Sequence, residues 1–179
     1  MTLAPPRRST AVSAAPPSTP RLRMEPTGSR RTLLDGGWWP RSHDPVAELP
    51  GLILAIDTIR GPITRLVLSA AGWRDQPRRL GMAGRVLRLG YFASQSPFLL
   101  TALCGDNGDR VDLLVVPPGT DAETADAAMN LAATTGNHLH AQDILRAAIA
   151  ARPGDTGDAS ESAWETEGGR LGSLAVNHS

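Results

Sequence analysis

The sequence predicts an α+β fold: a mainly antiparallel sheet of about five to six strands, with three helices packed on one face. Three observations lead there. Short runs of alternating apolar residues follow one another between residues 63 and 116, closed by Gly, Pro, Asn or Asp. Apolar residues at helical spacing occur only before and after that block. Asn107-Gly108 falls between the two strongest runs, where a tight hairpin turn belongs.

The elements follow in order. Residues 1–19 ("MTLAPPRRSTAVSAAPPST") have almost nothing to bury and read as a disordered tail. A single core domain is expected over 20–152. It opens with "RLRMEP", where Leu22 and Met24 alternate with Arg21, Arg23 and Glu25 as a short edge strand. Beyond "LLDGGWWPRSHD" (33–44), Asp44 and Pro45 give a helix cap and a first-turn proline. Leu49, Leu52, Ile53, Ile56 and Ile59 then recur at helical spacing. Pro50 interrupts them, which predicts a kink or a separate opening turn, with the main helix from Pro50 to about Ile59. Gly61 and Pro62 stop it.

"ITRLVLS" (63–69) sets Thr64, Leu66 and Leu68 against Ile63, Arg65 and Val67. Residues 78–92 hold two short strands, with Leu87, Leu89 and Tyr91 on one face. Residues 98–104 and 110–116 form the hairpin, and the run "LLVV" marks its second strand as central and covered on both faces. Thr120 and Glu123 make a capping box for a helix whose inner face is Ala125, Ala128, Met129 and Ala132, ending at Gly136. A last helix, about 141–151, carries Ile144, Leu145, Ala148 and Ile149. Residues 153–179 read as a second disordered tail, acidic in charge.

Composition excludes several classes. The 179 residues carry zero formal charge, so no bulk attraction to nucleic acid or acidic lipid is expected. All 18 basic side chains are arginine, which together with abundant Ala, Gly and Pro reflects GC-rich coding. Charge is polarised: residues 1–31 hold six arginines against one glutamate, whereas 153–179 hold five acids against Arg170. Oppositely charged tails can attract each other or a partner. No apolar run approaches the ~18 residues of a membrane span. The N-terminus lacks the apolar region of a secretory signal. One cysteine, Cys104, forms no internal disulfide, which fits a reducing compartment, and a cytoplasmic location is expected.

"LLDGGWWPRS", "ELPGL", "RVLRLGYF", "LLVVPP" and "AQDIL" together resemble a bacterial family of unknown function found mainly in high-GC species. The resemblance spans about residues 22–147 and implies no activity.

The paired tryptophans are the leading candidate site. Pro40 pushes Trp39 towards extended backbone, where neighbouring side chains point to opposite faces. One indole is therefore expected under the helices. The other covers a sheet edge, stacks on an arginine or faces a partner. The loop reads either as a packed corner or as a ligand site. In the second case Asp35, Trp38, Trp39, Arg41 and Ser42 supply a carboxylate, indoles, a guanidinium and a hydroxyl.

Other signals are weaker. Arg74, Arg78, Arg79, Arg85 and Arg88 cluster beside Trp73 and are the best nucleic-acid signal, although nothing resembles a nucleic-acid motif. His138 and His140 lack the further ligands a zinc site needs. Asp106, Asp109 and Asp112 lack calcium-loop spacing. Cys104 reads as buried filler. No metal or cofactor is expected, and no phosphate loop, serine elbow or catalytic carboxylate pair stands out. The expectation is a non-enzymatic binding or regulatory domain acting on a protein partner. A small-molecule or catalytic site at the Trp loop is the alternative.

Overall fold

A computed structural model describes residues 10–151. The acidic segment 153–179 and the first nine residues lie outside the described part. Eleven elements follow one another. They are β1 (Ala11–Val12), β2 (Leu22–Met24), β3 (Gly36–Trp38), α1 (Pro45–Arg60), β4 (Ile63–Ser69), β5 (Arg79–Met82), β6 (Arg85–Phe92), β7 (Leu99–Cys104), β8 (Asp109–Val115), α2 (Ala122–Ala132) and α3 (Ala141–Ala150).

The fold is α+β with three helices, but two features of the expected sheet are corrected. It has eight strands in the order β1-β5-β6-β4-β7-β8-β3-β2, and it is mixed. β1–β5, β3–β8 and β4–β6 are parallel, while β2–β3, β4–β7, β5–β6 and β7–β8 are antiparallel. The physical reason is the connection over residues 70–78. It carries the chain past the position of β6 to β5, and the β5–β6 hairpin then returns to lie parallel to β4.

The helices also divide between the two faces instead of sharing one. Leu49, Leu52, Ile53 and Ile56 of α1 pack with Leu66, Leu87, Leu100, Leu113 and Trp38. Met129, Ala125, Ile144 and Leu145 of α2 and α3 pack with Leu114 and Val116. β8 feeds both layers, with Val111, Leu113 and Val115 to α1 and Leu114 to α2 and α3, as expected of a central strand.

Local details follow from residue chemistry. α1 begins at Pro45, capped by the Asp44 carboxylate accepting from Val46 N–H (2.9 Å), and runs through Pro50 without a separate opening turn. Pro50 is buried inside the helix, so packing offsets the one backbone hydrogen bond it forgoes. The cap of α2 is Asp121, one residue later than the expected Thr120; its carboxylate accepts from Thr124 N–H (3.0 Å). Asn107-Gly108 does not form a two-residue turn. Cys104 pairs with Asp109 across a four-residue loop with positive φ at Gly105 and Gly108. The two-residue turn lies instead between β5 and β6, where Ala83 (φ 48°) and Gly84 (φ 75°) both adopt the left-handed geometry a tight hairpin needs.

Part of the expected N-terminal tail joins the sheet. β1 and β2 form opposite edges of it, although only residues 13–21 separate them in sequence. Seven strand spacings are about 34 Å, and ten residues of extended chain reach about 33–36 Å. The segment therefore has little slack. It passes over α1: the Ser18 backbone lies against Gly51, and the Thr19 carbonyl accepts from the Arg41 guanidinium (2.8 Å). Pro16, Pro17 and Pro20 suit such an extended strap.

Candidate functional site

β3 is three residues long, and its alternation sends the tryptophans to different layers. Trp38 is 1% exposed in the α1 layer, its ring stacked on Trp73 at 5.8 Å with 13° between planes. Trp39 packs against the α2–α3 layer. The Arg21 guanidinium lies 3.5 Å over the Trp39 ring, and the indole N–H donates to the Pro117 carbonyl (3.2 Å). Arg21 also donates to the carbonyls of Trp39 and Pro40, both at 2.9 Å. Burial, with Arg41 nearby, lowers the Arg21 pKa.

The polar set beneath this corner centres on Glu48, which the sequence pattern did not single out. Its carboxylate accepts from Arg41 N–H (3.1 Å) and the Ser42 hydroxyl (3.0 Å). Trp38, Trp39, Arg41 and Ser42 thus belong to one locked corner. Asp35 does not join them. It precedes β3 while Arg41 follows it, and six residues of largely extended chain separate them by roughly 20 Å. The Asp35 carboxylate accepts from Asp112 N–H (2.8 Å), and burial raises its pKa. The cavity beside the corner holds 180 Å³ and is lined by Ser42, His43, Trp73, Phe98 and Pro117, among others. That is below the ~300 Å³ of an ordinary ligand site.

A larger cavity of 480 Å³ opens at Asp35, between the 25–35 loop and the β7–β8 hairpin. Most of its charges are engaged, but the buried Arg60 Nε has no hydrogen-bond partner among the described residues. Arg30 pairs with Asp109 (3.4 Å) and Arg110 with Asp112 (2.7 Å), which raises the Arg110 pKa. Arg60 reaches the Glu25 carbonyl (3.5 Å). Glu25 is buried beside it, and its carboxyl is held down to about 2, chiefly by the Thr27 hydroxyl, with Thr135 and loop amides adding to the effect.

The basic cluster of the sequence is divided by the fold. Arg85 pairs with Asp57 of α1, and Arg74 and Arg78 lie before β5. Arg79 and Arg88 face each other across the β5–β6 ladder, and Arg88 faces Arg65 across β6–β4. Leu80, Leu87 and Leu89 point to α1, so these three arginines point to the opposite face. A register shift between Ile63 and Arg65 frees Arg65 from the buried set; sequence alternation alone had grouped it with Ile63. α2 packs over β2, β3 and β8, and among the described residues no helix packs extensively over the β1-β5-β6-β4 part of that face. Val12 (68% exposed), Val86 (57%) and Phe92 (43%) flank the row. Among the described residues, none of the three arginines makes an ion pair or a side-chain hydrogen bond.

His138 and His140 are exposed, and His140 precedes α3 without a side-chain cap. Cys104 is buried, and burial pushes its thiol up to about 11. Among the described residues no group of three or more His, Cys, Asp or Glu is placed to hold a metal, and no helix is long and apolar enough to cross a membrane.

Fold and surface together define an α+β domain on a mixed sheet with one basic face that the described residues leave partly uncovered. The chain belongs to the family of unknown function DUF5994, which it matches over residues 21–132. No curated protein and no solved structure matches it.

Proposed function

We propose that this is a non-enzymatic binding domain whose uncovered sheet face receives an acidic segment of a protein partner. One observation carries the reading: three adjacent cross-strand arginines, Arg79, Arg88 and Arg65, without a carboxylate partner among the described residues. Like charges directly opposite each other cost a sheet about 0.2–1 kcal/mol per pair. A row that costs stability points to a use other than folding. Val12 and Val86 beside the row favour a peptide over a nucleic acid. A single strand of nucleic acid seeks aromatic platforms, and among the described residues Phe92 is the one exposed aromatic beside the row. The Asp35 cavity is the weaker candidate because Arg30 and Arg110 are paired with Asp109 and Asp112 there, which leaves Arg60 Nε as its one unpartnered buried donor among the described residues.

The test is Arg88→Thr in the full chain, titrated with a Glu-rich peptide and with a single-stranded oligonucleotide of equal charge. The expected result is salt-sensitive peptide binding by the parent and its loss in the variant, with folding stability unchanged or raised. Preferential binding of the oligonucleotide, or binding of neither, overturns the reading.

A further inference from the structure

We infer that the chain carries its own competitor for this face: the acidic segment 153–179 lies across the Arg79–Arg88–Arg65 row of the same molecule. The inference rests on the binding reading above and adds its regulation. The charges are complementary, with five acids and one arginine in the segment against a row that has no acidic partner among the described residues. Four of the acids lie within the ten residues 158–167, and Trp164 stands among them. That spacing suits three arginines flanked by Val12, Val86 and Phe92. An indole beside arginine and exposed aliphatic groups repeats the chemistry Trp39 already shows with Arg21.

Connectivity permits it. α3 ends at Ala150, in the layer that covers the same face of the sheet as the row. From β8 to β6 is three strand spacings, about 14 Å. The 14 residues from Ala150 to Trp164 reach up to about 45 Å. A tethered segment acts at an effective concentration near the millimolar range, so even a weak contact keeps the face occupied most of the time. If the face is free about a tenth of the time, a partner binds about tenfold more weakly than its intrinsic affinity.

Two measurements on the full chain test this. A spin label is placed through Ser160→Cys; buried Cys104 does not compete for it. The inference expects broadening of the amide signals of Val86, Arg88 and Gly90 that does not change on dilution. It also expects that broadening to vanish when Arg65→Gln, Arg79→Gln and Arg88→Gln are combined. Absent broadening, or broadening that survives the triple substitution, overturns the inference. The second measurement neutralises the segment with Asp155→Asn, Asp158→Asn, Glu161→Gln, Glu165→Gln and Glu167→Gln. Affinity for the Glu-rich peptide should then rise about tenfold. Binding no tighter than the parent's refutes the tethered competitor and leaves the binding reading standing. No peptide binding by the neutralised chain refutes the binding reading itself.

Discussion

Gly51→Ala should destabilise this protein, against the usual rule for helices. In a helix interior, alanine in place of glycine gains about 1 kcal/mol. Gly51 lies inside α1, so propensity alone predicts that gain. The structure opposes it. A Cβ at Gly51 would collide with the Ser18 carbonyl oxygen and sit 3.1 Å from the carbonyl carbon. That backbone would have to retreat by roughly 1.5 Å to restore ordinary contact. It has little slack, because residues 13–21 join two sheet edges. Overpacking against fixed neighbours costs about 1–3 kcal/mol. Setting about 2 against the gain of about 1 leaves a net loss near 1 kcal/mol. Urea unfolding measures it, and hydrogen exchange at residues 11–24 should show lost protection in the variant. A stability gain near 1 kcal/mol with unchanged exchange would refute the strap and the reasoning behind it.

Glu48→Ala should cost about 2–3 kcal/mol, because it strips the acceptor from Arg41 N–H and the Ser42 hydroxyl in a buried corner. Arg41→Gln should cost no more than about 0.5 kcal/mol in the same unfolding assay, since the Arg41 side chain is exposed and makes one hydrogen bond. Acid titration should separate two carboxyls of opposite sign. The Glu25 pKa is depressed to about 2, so its stabilisation is present above its unfolded value near 4.5 and is lost as pH falls towards 2; Glu25→Gln should flatten that loss. The Asp35 pKa is raised, so its contribution is present below its unfolded value near 3.8 and is lost as pH rises through the folded value. Asp35→Asn should therefore leave stability at pH 7 unchanged or higher, measured by the same unfolding curves across pH.

Legibility of the fold varied with how local each signal was. The strand at 63–69, the first-turn Pro45 and the two-faced burial of β8 were all visible as patterns of neighbouring residues. Opposite fates for Trp38 and Trp39 followed from extended geometry before a proline, and Arg21 under Trp39 realised one of the foreseen arginine contacts. What stayed hidden was pairing at a distance. Nothing in "ITRLVLS" says that β4 lies parallel to β6, since strand chemistry is the same in either direction. Division of the helices between two faces was hidden for the same reason. Glu48 was not singled out because its partners come from a loop that only the fold brings back. Arg65 was misgrouped because one register shift inverts which residues share a face. Asp35 and Arg41 looked like partners only because they are close in sequence.

The strand order also bears on how the chain is made. Synthesis delivers β1, β2 and β3 first, yet β1 can pair only with β5, and β3 only with β8 and β2. The partner of β1 leaves the ribosome some seventy residues later, and β8 later still. Until residue 115 has emerged, the tryptophan corner has no sheet to sit in. Residues 10–44 can therefore settle only after β8 has emerged, and they close over a core drawn from the middle of the chain.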